Sequence, residues 1–320
     1  MIRNLTGLLA PAGDRARLSI LILHRVSPQA DPLFPGEMHA RSFDAMLRWV
    51  KDWYTVLPLP EAVERLRAGT LPARALAITF DDGYEDNHSV ALPILKQHGL
   101  SATFFVATDF LNGGRMWNDS LIEAMRTTPG GELDLGQWGR YRLDDAASRS
   151  RAAVALISRI KYLEPPARQA AVEEVAQRSR ATLPLKLMMT DAQVGDLHRQ
   201  GMTVGAHTCS HPILARLDDA AARDEIARGR AALEAMTSAR VGLFAYPNGK
   251  PGEDYLSQHV AMVRELGFDA AVSTAWGASV QGDDPYQLRR FTPWDRSRLK
   301  FGLRMLRNLA KPAPTPLMAA

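Results

Sequence analysis

Short apolar runs rich in β-branched and aromatic residues recur along the chain at 20–24, 54–57, 75–80, 102–106, 203–207, 241–246 and 270–274, with a weaker eighth at 288–291. Stretches of helical periodicity separate most of them, at 42–53, 59–68, 89–98, 191–200, 218–236 and 255–266. Runs this short, without polar alternation, suit strands covered on both faces. Strands alternating with helices require crossover connections, and so predict an α/β fold with a mainly parallel sheet. The first seven runs are the strands expected to close a barrel. Gly99, Gly201 and Gly267 stand just past three of the helices, where a left-handed residue ends a helix well.

The rhythm breaks once. Nearly a hundred residues, about 107–200, separate the fourth run from the fifth and include two further helical stretches, 150–163 and 166–180. An insertion on one βα loop is expected to cap the barrel mouth, where substrate contacts usually lie. The chain therefore divides into an N-terminal extension, 1–17, a barrel, 18–295, with its motifs within 75–275, and a C-terminal helix and tail, 296–320, that frays from the proline-rich stretch 312–316.

The net charge is +4, yet 296–320 holds six Lys/Arg and no Asp/Glu, which leaves residues 1–295 at −2. No basic stripe interleaved with aromatics crosses the body, so a nucleic-acid partner is not expected. In the tail, Leu299, Phe301, Leu303, Met305, Leu306 and Leu309 share an apolar arc opposite Lys300, Arg304, Arg307 and Lys311. A helix of that kind over 296–311 can lie on an anionic membrane surface. The single cysteine, Cys209, cannot form an internal disulfide, and neither a signal-type h-region nor an apolar stretch of membrane-spanning length is seen. A cytoplasmic location, peripheral to the membrane at most, is the expectation.

Two motifs end apolar runs. Thr79-Phe80-Asp81-Asp82-Gly83 places two adjacent acids at a strand end, where they point in different directions, so one can bind a metal while the other handles a proton. His207-Thr208-Cys209-Ser210-His211 offers two imidazoles four apart. With Asp82 they would form an Asp-His-His set that leaves positions open for water on a divalent cation, zinc first among them. Cys209 is expected to face the core as a small apolar residue.

Together and in this order, these motifs resemble those of the polysaccharide deacetylases, the NodB-homology or carbohydrate esterase 4 group. The resemblance implies a distorted (β/α)7, TIM-like barrel with a helical insertion. It implies a metal-dependent hydrolase that removes acetyl from N-acetylhexosamine units of a polysaccharide or lipid-linked glycan. Residue by residue, Asp81 matches the family's general base, Asp82 its metal aspartate, and His207 and His211 its metal histidines. The motif that is normally close to Arg-Pro-Pro-Tyr-Gly falls at Ala245-Tyr246-Pro247-Asn248-Gly249, which leaves the Asn248 backbone N–H to face an oxyanion.

The chain departs from the family in instructive places. The arginine that orients the base is replaced by Ala245, and Arg290, in the last strand-like run, is the candidate to replace it. No histidine follows His259, so the usual late general acid is missing. The run 20–24 ends in His24 and resembles the start of circularly permuted members, in which the last strand's motif sits at the N-terminus; His24 is then the general acid. Trp117, Tyr246 and Trp276 are candidate substrate contacts, and Asn118 or Asp119 is expected to cap a helix. Two alternatives stay open: a catalytically silent carbohydrate-binding barrel, favoured by Ala245, and a deacylase of a small amide, since these motifs encode carbonyl activation and not sugar recognition.

Overall fold

In a computed structural model that describes residues 1–311 and 317, six strands follow one another around a curled sheet. They are β1 (Arg17–Leu23), β2 (Ala75–Phe80), β3 (Thr103–Val106), β4 (Thr203–Ala206), β5 (Leu243–Ala245) and β6 (Ala270–Val272), each hydrogen-bonded in parallel to the next. Every residue of β2 is buried, as a parallel strand covered on both faces requires.

The count of seven holds, but one member differs from expectation. The seventh stave is the weak run 288–291, whose Leu288 bridges Val272 of β6 while Phe291 bridges Leu21 of β1. The Phe291 N–H donates to Ile20 O at 2.8 Å and its carbonyl accepts from the Ile22 N–H at 3.0 Å, which closes the ring. The run 54–57 shrinks to Thr55–Val56, paired only with Ala75 and Leu76 at the start of β2. From Thr79 onward β2 pairs with β3, so Thr55–Val56 stays beneath β3 and never reaches the mouth.

Inside the ring, Ile20, Ala77, Phe105, Leu243 and Leu288 form one apolar cluster with Leu59, Val63 and Leu66 of helix Leu59–Ala68, which plugs the end away from the site. A second cluster, including stacked Phe80 and Phe104, lies between the strands and the outer helices. Burying large side chains of this kind stabilises by roughly 1.5–3 kcal/mol each.

Within 107–200, three helices, Trp117–Thr127, Ala146–Ile160 and Pro165–Ser179, and a hairpin of Glu132–Asp134 with Arg140–Arg142 pack around Leu121, Leu156 and Val175. The insertion thus carries a small core of its own. Asp145 starts its middle helix by accepting from the Ser148 N–H at 2.7 Å. The first helix starts without a side-chain cap at Met116, so neither Asn118 nor Asp119 caps it. Helices Ile2–Leu9 and Arg298–Ala310 pack together outside the barrel, where Gly302 leaves room for Ile2. The stretch 312–316 lies outside the described residues. No helix among the described residues is long and apolar enough to cross a membrane.

Candidate active site

In each motif one residue stands directly beyond the C-terminal end of a strand: Asp81 after β2, His207 after β4 and Tyr246 after β5. Asp82, Thr208, His211 and Asn248 all adopt positive φ, at 78°, 64°, 52° and 57°. Left-handed backbone is costly for residues with a Cβ, and its concentration on these three loops marks geometry imposed by the surrounding fold. The turn at Asp82 sends the adjacent carboxylates to opposite sides.

Asp82 faces the histidines. Its Oδ1 lies 3.5 Å from Nε2 of both His207 and His211, and among the described residues these three are a group whose ligand atoms converge closely enough for one cation. The His207 Nδ1–H donates to the Ala245 carbonyl at 2.7 Å, which leaves the Nε2 lone pair for the site. Asp82 Oδ1 is buried with no hydrogen-bond partner among the described residues. An orphaned carboxylate oxygen beside two imidazole nitrogens suits a cation that completes all three, so the residues fit the divalent metal. Burial opposes the charge on Asp82, but His207 and His211 outweigh it and hold the carboxyl far below the usual range. Burial also drives His211 down to about 4, so that ring is neutral at pH 7.

Asp81 faces the barrel interior and meets Arg290. Nη1 and Nη2 of the fully buried guanidinium donate to Oδ1 and Oδ2 at 2.7 and 2.6 Å. Arg290 is fixed in turn by Nε to Ser273 O at 3.0 Å, Nη1 to Thr79 Oγ1 at 3.1 Å and the Phe105 ring beneath it. Burial raises the Asp81 carboxyl, yet Arg290 and then His207 overcome this and hold it below its ordinary value.

Sequence reasoning missed Glu225, on helix Asp219–Thr237. It accepts the N–H groups of Cys209 and Ser210, each at 2.9 Å, and the Ser210 hydroxyl at 2.7 Å, which pins the loop between the two histidines. Gly229 on the same helix lets the loop approach closely, for a Cβ there would meet the Thr208 carbonyl at 2.8 Å. Four residues separate Glu225 from Gly229, one turn of one face, but nothing local ties that face to a loop upstream. Cys209 is buried outside the ligand group, and burial pushes its thiol up to about 11.

The family model for polysaccharide deacetylases matches residues 68–132 and 150–271, more than half of the chain, and spans both motifs. The chain belongs to the polysaccharide deacetylase family. Over 93 residues it is 37% identical to YxkH of Bacillus subtilis (strain 168), a protein assigned to the same family; the match covers 28% of this chain and 32% of that protein. Two solved structures share the fold over nearly their whole length. The Streptococcus pyogenes deacetylase PplD, in complex with acetate, superposes with a TM-score of 0.60 at 18% identity, covering 93% of this chain and 99% of its own. IcaB from Ammonifex degensii superposes with a TM-score of 0.60 at 19% identity, covering 92% and 98%.

In this family member the site opens into a cavity of about 890 Å³, lined by Asp81, Asp82, His24, His207, His211 and Asn248 on the barrel side. His24 follows β1 directly, and its ring makes no hydrogen bond among the described residues. Asn248 O accepts from the Thr274 hydroxyl at 2.8 Å, while its N–H has no partner among the described residues. The insertion supplies Trp117, Asn118, Asp119 and Glu123 to the opposite wall. The Arg168 guanidinium lies 5.3 Å over the Trp117 ring.

One expected substrate contact is corrected. Trp276 is not in this cavity; it packs on Phe291 and Trp294 outside the ring, because Arg290, and not the preceding loop, takes the interior position. Tyr246 touches the cavity wall, but its ring is stacked 3.8 Å from Tyr255 and its hydroxyl donates to Tyr286 O at 3.0 Å, so the side chain is committed to the core.

Proposed function

We propose that this chain is a zinc-dependent N-deacetylase acting on N-acetylhexosamine units of a glycan, an exopolysaccharide or lipid-linked saccharide. One observation carries the reading: the Asp82, His207 and His211 group shares a cavity wall with an arginine-paired carboxylate, Asp81, and an imidazole, His24. Asp82, His207 and His211 would hold the zinc, which would supply Lewis acidity to the acetamide carbonyl and to a water. Asp81 takes a proton from the attacking water, and Arg290 holds the carboxylate in place and ionised. The N–H of Asn248 donates to the developing oxyanion. His24 delivers a proton to the leaving amine, a contribution of about 10²–10⁴ in rate. Trp117 stacks on a sugar face.

Acetate release from N-acetylglucosamine oligomers by zinc-loaded protein is the test. Asp81→Asn is expected to keep about one equivalent of metal and lose turnover, and His211→Ala to lose the metal. His24→Ala keeps fold and metal and loses the limb of the pH profile that reports a protonated acid. Oligomer binding without acetate release would replace the reading with a silent carbohydrate-binding barrel, and cleavage of small amides alone would replace the substrate. Arg290 on Asp81 speaks against the silent barrel, since it takes over the contact that Ala245 cannot make.

Attachment to an anionic membrane belongs to the same proposal, with a revised face. Phe301, Met305 and Leu309 are buried on the barrel, whereas Leu299 and Leu303 are exposed, as are Leu5 and Leu8 on the helix packed alongside. Sedimentation with anionic liposomes at low salt, lost in Leu299→Gln/Leu303→Gln, supports it; a chain that stays in the supernatant refutes it.

A further inference from the structure

Two residues of the cavity wall bear a buried carboxylate oxygen with no hydrogen-bond partner among the described residues, Asp82 Oδ1 and Asp119 Oδ2. The first is accounted for by the cation group. Asp119 stands outside that group, so its free oxygen needs another explanation.

Asp119 enters from the insertion helix Trp117–Thr127 and is 4% exposed. Its Oδ1 accepts from the Tyr84 hydroxyl at 3.3 Å. The Arg25 guanidinium lies 4.8 Å over the Tyr84 ring, and Arg25 Nε donates to Asp86 at 2.8 Å. The Tyr84 hydroxyl thus holds one oxygen of Asp119, and the other has no partner among the described residues. Retaining an unsatisfied buried carboxylate is expensive, and a ligand that donates to it removes the penalty. Arg25, Arg126, Lys161 and Arg168 line the cavity together with Asp31, Glu37 and Glu123, and a neutral hydroxyl donor suits the unpaired oxygen.

We infer that Asp119 is a specificity-determining residue whose Oδ2 accepts a hydrogen bond from a hydroxyl group of the sugar held in the cavity. The inference rests on the deacetylase reading for its substrate class.

Kinetics of zinc-loaded wild type and Asp119→Ala on N-acetylglucosamine oligomers and a set of monodeoxy analogues test this, together with melting temperatures. The loss of a hydrogen bond to a charged group predicts a fall of roughly ten- to hundredfold in kcat/KM, mainly through KM. Wild type should reject one deoxy analogue by about the same factor, and Asp119→Ala should accept it as readily as the full sugar. The melting temperature should hold or rise. Equal rejection by both proteins, or a melting temperature that falls along with activity, overturns the inference and makes Asp119 structural. If wild type releases no acetate, the deacetylase reading falls separately, and calorimetric titration with the same oligomers decides: tighter binding to wild type than to Asp119→Ala upholds the inference, and equal or absent binding overturns it.

Discussion

The two walls of the cavity are built differently. On the barrel side, Asp81, Asp82 and His207 are buried at strand ends, and their loops are locked by left-handed backbone and by Arg290 and Glu225. On the insertion side, the residues stand on helices with a separate small core, where Arg168 rests over the Trp117 ring and Arg126 pairs with Asp31. The barrel wall over-determines the position of a few atoms, while the insertion wall offers shape and polar variety. Chemistry that tolerates little misplacement suits the first, and recognition of a particular glycan suits the second.

Breaking the barrel wall should have the largest effect. Arg290→Met leaves Asp81 as a buried, unpaired charge, which predicts a loss of about 3–5 kcal/mol in denaturant unfolding as well as of turnover. Asp81→Asn on that background should restore a large part of the stability, because the uncompensated charge is gone. Glu225→Ala should leave the fold intact and weaken zinc roughly 10- to 100-fold in competition titrations, since it frees the loop between His207 and His211.

The insertion wall should respond more mildly and through binding. Trp117→Ala is expected to raise KM about two- to tenfold with kcat little changed. The smallest effect concerns the pH dependence of stability at Asp119. Its carboxyl is raised in the fold, faced by Arg25, Tyr84, Asp82 and Glu123, so its contribution to stability is present at low pH and is lost as pH rises through about 7. In metal-free protein, Asp119→Asn should therefore gain melting temperature over wild type at pH 8, by about 2 °C, and little or nothing at pH 4. A gain that is larger at pH 4 would show that Asp119 is stabilised by its surroundings, and would erase the contrast between the walls.

How much could be read beforehand follows the range of each signal. The strand-end acids and the His-x-x-x-His spacing are local, and both motifs stand where the apolar runs end. Arg290 could be named because strand ends of a barrel share one face, but its bidentate grip on a carboxylate 209 residues away depends on closure. Trp276 and Asp119 were misplaced for the same reason: both lie in irregular or inserted chain, where neighbours in space are remote in sequence.

Sequence by itself determined the alternation of strand and helix, the Asp81-Asp82 and His207–His211 motifs and the place of the insertion, because hydrophobic periodicity and turn chemistry act over a few residues. Only the tertiary structure decided that 288–291 closes the ring in place of 54–57, that Glu225 pins the histidine loop, that Phe301, Met305 and Leu309 are covered while Leu299 and Leu303 are not, and that Asp119 turns into the cavity. Each of those outcomes rests on which distant surface a short segment can reach and bury, and no local pattern carries that choice.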